Sequence, residues 1–231
     1  MCFDKIFPEQ EKVSAVFSNK EAGDLRKDAH NIERFLRLLN ISPEKLVRMN
    51  QVHGRNVGFA DGQISFFEKT DGLFTDQKGV FLSVNTADCL PIFVFGRAPE
   101  FVGIIHAGWK PLTAGIIEEF FNKAQAKLGT FDFANVSVAI GPGIGQCCFE
   151  VKDDVIHNFS PWPNHIKHGL KGSYFIDLPK IAVDCLTRAG VNDNNIMLAG
   201  ECTKCRSDKY FSYRREKNEL AGEMMGIIGL I

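Results

Sequence analysis

Three side chains able to bind a metal or act as a nucleophile fall where apolar runs break into loops. They are His53 in Gln51-Val-His-Gly54, Cys89 in Thr86-Ala-Asp-Cys89 and His106 in Ile105-His-Ala-Gly-Trp109. Strand ends on a rigid scaffold are where functional groups are usually presented. One thiolate and two imidazoles form a soft-to-borderline donor set that suits Zn²⁺, with Cu²⁺ as the alternative. Three protein ligands leave one tetrahedral position open, which marks a catalytic rather than a structural zinc. The ligands stand 36 and 17 positions apart, unlike the short paired spacing of zinc fingers. A rival reading makes Cys89 a nucleophile with one histidine as its base, as in a Cys-His hydrolase, and Asp88 or Asn85 orienting that histidine. A third keeps all three as ordinary buried residues. Residue types alone leave these readings open.

Several other residues carry weaker signals. Arg48, Lys110, Arg214 and Arg215 are candidates for holding phosphate or another anion. Cys202-Thr-Lys-Cys205 has metal-knuckle spacing, but no second such pair completes a four-cysteine site. Cys147-Cys148 is vicinal. Plain thiols are the expectation for these four. Gly141-Pro-Gly-Ile-Gly145 follows an apolar run and lacks the dinucleotide fingerprint, so a plain turn is expected.

The elements that must position these groups are read from periodicity. Strands are expected over residues 12–18, 46–49, 56–60, 80–84, 91–95, 101–105, 136–140, 210–213 and 224–228. Helices are expected over 31–39, 112–127, 151–159 and 178–189, the last with Pro179 near its first turn. Strands and helices mix without a βαβ rhythm, which predicts an α+β fold: a mixed β-sheet core with flanking helices. No repeat or linker divides residues 1–231, so one domain is expected.

Composition narrows the class. The 231 residues are 45% hydrophobic and 24% charged, with formal net charge −1, ordinary for a globular chain. That balance builds no basic field for sequence-independent nucleic-acid binding. No apolar run approaches the roughly 18 residues of a membrane span, and the first ten residues contain no signal-type apolar core. With seven cysteines, reduced thiols in a cytoplasmic enzyme are expected.

Read together, the motifs resemble the bacterial laccase-domain family, once described as multicopper polyphenol oxidases and later as purine nucleoside phosphorylases. The matching segments are QVHG (51–54), DGLFTD (71–76), NTADCLP (85–91), HAGW (106–109), AIGPGIGQCCFEV (139–151), CTKC (202–205) and YFSYRRE (210–216). The resemblance implies that His53, Cys89 and His106 bind one metal, usually zinc, and are the catalytic centre. It implies phosphorolysis of adenosine, inosine and methylthioadenosine to base and ribose 1-phosphate, with adenosine deamination. It also implies a fold similar to cysteine-dependent toxin catalytic domains. A nucleoside and phosphate are the expected partners of a monomer or small homo-oligomer, with Arg48, Asn85, Asp88 and Arg214 as candidate substrate or phosphate contacts. The older family label implies a copper-dependent polyphenol oxidase instead, although laccase chemistry needs several coppers and this trio holds one. A non-enzymatic binding factor is a further alternative.

The chain departs from the family pattern in three places. The family's N-terminal FSTR and glycine-rich loop become Phe17-Ser-Asn-Lys20 and a shortened loop. HAGWRG becomes HAGWKP, with Lys110 and Pro111. The usual GRM becomes Gly222-Glu223-Met224, an anion in place of a cation.

Overall fold

Successive residues of the strand Met224–Leu230 point to opposite faces, as pleating requires, and all seven are buried. Such a strand must be covered on both sides. Met224, Ile228 and Leu230 join one core, and Met225 and Ile227 join another. The structure, a computed structural model, describes residues 1–217 and 222–231. In it this strand is third in a six-stranded sheet ordered Phe3–Ile6, Val13–Ser18, Met224–Leu230, Phe81–Thr86, Leu46–Met49 and Phe66–Phe67. A second six-stranded sheet runs Ile196–Leu198, Val136–Ile140, Leu90–Arg97, Glu100–Ala107, Gly72–Thr75 and Val57–Phe59. Both sheets mix parallel and antiparallel pairs, so the fold is the expected α+β type.

The sheets stack face to face. Phe17, Val47, Leu82 and Ile228 of the first meet Leu73, Phe93, Val102 and Ile104 of the second. Helix Ala29–Leu38 covers the outer face of the first sheet. Its Ile32, Phe35 and Leu36 recur at helical spacing and pack on Val16, Met225 and Ile227, while the Asp28 side chain caps its N-terminus. Helices Ile116–Leu128 and Leu178–Arg188 cover the outer face of the second, where Phe120, Phe121 and Ile181 meet Ile92, Val94 and Val138. The result is four layers, helix–sheet–sheet–helix. Among the described residues no helix is long and apolar enough to cross a membrane.

Three expected elements differ in the structure. The helix expected over 112–127 is two, Trp109–Thr113 and Ile116–Leu128, because Gly115 between them adopts φ 83°, a left-handed conformation that glycine tolerates. Residues 151–159 are not one helix. A short strand Glu150–Val151 is followed by extended Lys152, a helical turn Asp153–Ile156 and a 3-10 turn His157–Phe159. Residues 210–213 are not a strand. The Phe211 N–H donates to the Met224 sulfur, and Ser212 caps a short helix, Tyr213–Glu216, so the backbone there serves a cap rather than a ladder.

Candidate metal centre

Strand register brings the three predicted ligands to one end of the sandwich. In the hairpin Leu90–Arg97/Glu100–Ala107, Pro91 pairs with His106 and Leu90 with Ala107, so Cys89, one residue before its strand, lies beside His106. Gly72 pairs with Ile105 and with Val57, which places Asp71 next to His106 and carries the chain back toward His53. The donor atoms of His53, Cys89 and His106 lie within 4.8 Å of one another. His53 Nε2 is 3.8 Å from Cys89 Sγ, close to the separation of about 3.5 Å between a nitrogen and a sulfur on one tetrahedral zinc. The His53 and His106 rings meet edge-on, centroids 4.7 Å apart. His106 is buried, Cys89 half-buried and His53 exposed, so the site opens to solvent on the His53 side.

Asp71 holds this arrangement, and residue types alone gave it no role. It is fully buried. One oxygen accepts the His53 N–H at 2.9 Å and lies 2.8 Å from His106 Nδ1; the other accepts the Val52 and Gly54 N–H groups at 3.2 and 2.8 Å. Three successive N–H groups converging on one carboxylate keep His53 at φ 57°, where a residue other than glycine is uncommon. The bond to Nδ1 fixes the His106 tautomer and leaves Nε2 as its donor toward the metal position. The nearest sequence signal was Asp71 heading the DGLFTD segment. Gln51, also without an expected role, exchanges two 2.8 Å bonds with the Asn85 backbone and ties the His53 turn to the strand leading to Cys89.

Space is as restricted as hydrogen bonding. A Cβ on Gly108 would lie 2.7 Å from Cys89 Sγ and 3.2 Å from His53 Cδ2. Gly108→Ala is therefore expected to weaken zinc binding by about 10–100-fold, the range of outer-shell changes, as measured by competition with a chromogenic chelator.

The electrostatics favour a thiolate. Burial alone would raise the Cys89 pKa, but the His106 charge and hydrogen bonds from both imidazoles bring it down to about 7. Burial opposes charge on His106, yet the Cys89 sulfur and Asp71 raise it to about 9. Burial also opposes charge on Asp71, and the His106 ring with the Gly54 and Val52 N–H groups holds it below its ordinary value. Each charge stabilises the other, so the metal-free site favours a thiolate–imidazolium pair. Iodoacetamide alkylation of Cys89 in metal-stripped protein should rise with pH to a plateau with its midpoint near 7, below the ordinary thiol range of about 8.5.

The remaining predicted residues lie around this centre in different roles. Asp88, at φ 92°, gives its oxygens to the Thr203 hydroxyl (2.6 Å), the Ser212 hydroxyl (3.1 Å) and the Arg214 N–H (2.7 Å), so it anchors loops behind Cys89. The Asn85 side chain donates to the Leu25 carbonyl at 2.9 Å. The Arg48 guanidinium donates to the Arg26 carbonyl at 3.2 Å. The Arg214 guanidinium lies over the Phe149 ring and donates to the Glu150 carbonyl. Arg48 and Arg214 are both half-buried, and neither forms an ion pair among the described residues. Glu223 pairs with Arg26 at 3.4 Å. Burial pushes its pKa up, against the pull of Arg26, His106 and His53. The N-terminal loop is tied to this strand through Leu25, whose N–H donates to the Glu223 carbonyl.

The chain is 32% identical over 222 residues to a purine nucleoside phosphorylase YlmD of Geobacillus stearothermophilus, covering 90% of this chain and 80% of that protein. It is 30% identical over 191 residues to adenosine deaminase RL5 of an unknown prokaryotic organism, covering 77% and 72%. The crystal structure of YlmD from Geobacillus stearothermophilus superposes with TM-score 0.88 at 27% identity, covering 99% of this chain and 98% of that one. Residues 14–231 match the family described as multi-copper polyphenol oxidoreductase laccase, and the chain belongs to that family.

Proposed function

We propose that the protein is a zinc-dependent purine nucleoside enzyme that phosphorolyses adenosine, inosine and methylthioadenosine to base and ribose 1-phosphate, and also deaminates adenosine. The observation that carries this reading is the three-donor centre with one open side, oriented from behind by Asp71. The names of the relatives, purine nucleoside phosphorylase and adenosine deaminase, support it. His53, Cys89 and His106 would hold the zinc ion, which would supply a Lewis acid for negative charge building on the substrate.

The chain's own residues do the rest. In phosphorolysis a phosphate oxygen attacks the ribose anomeric carbon, the bond to the purine nitrogen breaks, and its electron pair leaves with the base. That base needs a proton. Glu223, which burial shifts toward its neutral form, is the donor in this reading, because Asp88 is committed to Thr203, Ser212 and Arg214. Arg48 and Arg214, half-buried cations without a carboxylate partner among the described residues, are the candidates for phosphate. In deamination the same group works from its ionised form: the Glu223 carboxylate would take a proton from the attacking water and pass it to the departing ammonia.

Incubating zinc-replete protein with adenosine and phosphate tests both reactions. Adenine with ribose 1-phosphate, and inosine, are the expected products, and Glu223→Gln should slow phosphorolysis by about 10²-fold or more, the usual contribution of general acid catalysis. Finding none of these products would remove the assignment. A copper oxidase would instead consume oxygen with a phenol, and a cysteine hydrolase would stay active after chelation.

A further inference from the structure

We infer that Cys147, Cys148, Cys202 and Cys205 form a second metal site, a closed tetrathiolate that holds one structural zinc ion and braces the wall behind Cys89. Four sulfurs from two distant segments lie within 4.8 Å of one another. Cys205 Sγ is 3.6 Å from Cys147 Sγ and 3.4 Å from Cys148 Sγ. Zinc–sulfur bonds of about 2.3 Å in a tetrahedron put the sulfurs about 3.8 Å apart, so the cluster needs only small adjustments to close on a single ion. Four thiolates are the donor set zinc takes in structural sites. All seven cysteines are free thiols in the structure.

The backbone is built to bring these sulfurs together. Cys202 and Cys205 supply the two-residue spacing of a metal knuckle. The place of a second knuckle is taken by a turn in which the Cys148 and Phe149 N–H groups both donate to the Gly145 carbonyl, presenting the vicinal Cys147 and Cys148 together. Gly143 bridges to Cys202 as a parallel pair, with the Thr203 N–H donating to the Gly143 carbonyl at 3.0 Å. The Gly145 N–H donates to Cys202 Sγ at 3.3 Å, a bond that favours a thiolate. The Arg215 guanidinium holds the Thr203 and Lys204 carbonyls at 3.0 and 3.1 Å, fixing the Cys202–Cys205 loop from its other side.

A divalent cation removes the mutual repulsion of the four sulfurs and lets all of them ionise.

The link to the first site is short. Thr203, inside the knuckle, donates to Asp88, whose neighbour is Cys89, and the Ile144 N–H donates to the Asp88 carbonyl at 2.8 Å. An ion on the four cysteines therefore fixes both loops against the residue that aims Cys89.

Metal analysis of the full-length protein, purified under reducing conditions, separates the two sites. Wild type should carry two zinc ions per chain, Cys89→Ser one, Cys147→Ser/Cys205→Ser one, and the triple variant none. Failure of the first site appears as Cys89→Ser retaining the wild-type content. Failure of the second appears as Cys147→Ser/Cys205→Ser retaining it. Cobalt-loaded Cys89→Ser provides a readout that does not depend on the double variant folding. Intense tetrahedral bands with sulfur-to-cobalt charge transfer are expected; their absence, or a mass two daltons low from a disulfide among these four, overturns the inference.

Discussion

Cys89→Ala should purify without zinc at the His53–Cys89–His106 centre and lose adenosine phosphorolysis and deamination by more than about 100-fold, the upper end of what outer-shell changes cost a metal site. Removing the thiolate leaves two imidazoles, one of them exposed, too few to close three sides of a tetrahedron. Cys89 is half-buried at a strand end and small, so the fold should tolerate the change, with a melting temperature within a few degrees of wild type. Activity loss alone would also follow if Cys89 were a nucleophile. Zinc content decides between the two roles: a nucleophile lost to alanine leaves the metal in place, whereas a ligand takes it away. Chelation of the wild-type protein should reproduce the loss and added zinc should restore activity.

Asp71→Asn is expected to have the second largest effect, although it changes one atom and Asp71 touches no metal. Both Asp71 oxygens are fully engaged, one by His53 N–H and His106 Nδ1, the other by Val52 N–H and Gly54 N–H. An asparagine has one oxygen, so its NH₂ must face two other donors whichever way it turns. At least one backbone N–H, that of His53, or both of Val52 and Gly54 if the amide turns the other way, is then unsatisfied in a buried setting, at about 1–3 kcal/mol each. A loss of about 3 kcal/mol would lower the melting temperature by roughly 6–12 °C in a chain of this size. Zinc affinity should fall about 10–100-fold as well, because the His106 tautomer is no longer imposed and the left-handed turn at His53 can relax. Thermal unfolding and chelator competition read the two effects separately. Loss of affinity without loss of stability would show that Asp71 only orients His106 and does not hold the 52–54 turn.

These cases mark how far the sequence alone reaches. His53, Cys89 and His106 were legible as a candidate trio because a metal site demands particular side chains, and the structure brings their donor atoms together from breaks between apolar runs. The layer order was legible in part: short continuous apolar runs at 224–228 and 101–105 mark strands buried on both faces, and the 3–4 spacing of Ile32, Phe35 and Leu36 marks a helix. Asp71 was not legible as a structural hub, because three of its four donors are backbone N–H groups, which every sequence contains. Asp88 reads in the sequence as a candidate substrate contact or histidine-orienting group, yet its carboxylate ties Thr203, Ser212 and Arg214, more than 100 positions away. The four-cysteine cluster escaped for a similar reason. A vicinal pair in place of a second knuckle looks incomplete until the pairing of Gly143 with Cys202 brings the segments together. The strand expected over 210–213 failed because Tyr210 and Phe211 have strand-like side chains while Ser212 commits the backbone to a cap.

The central claim is that His53, Cys89 and His106 hold one zinc ion with a side open to substrate. Anomalous diffraction at the zinc edge from crystals of the zinc-loaded protein tests it directly. The expected result is a peak about 2.0–2.1 Å from His53 Nε2 and His106 Nε2 and about 2.3 Å from Cys89 Sγ, with the His106 Nδ1–Asp71 bond intact. A zinc-loaded crystal without a peak between these three residues would contradict it.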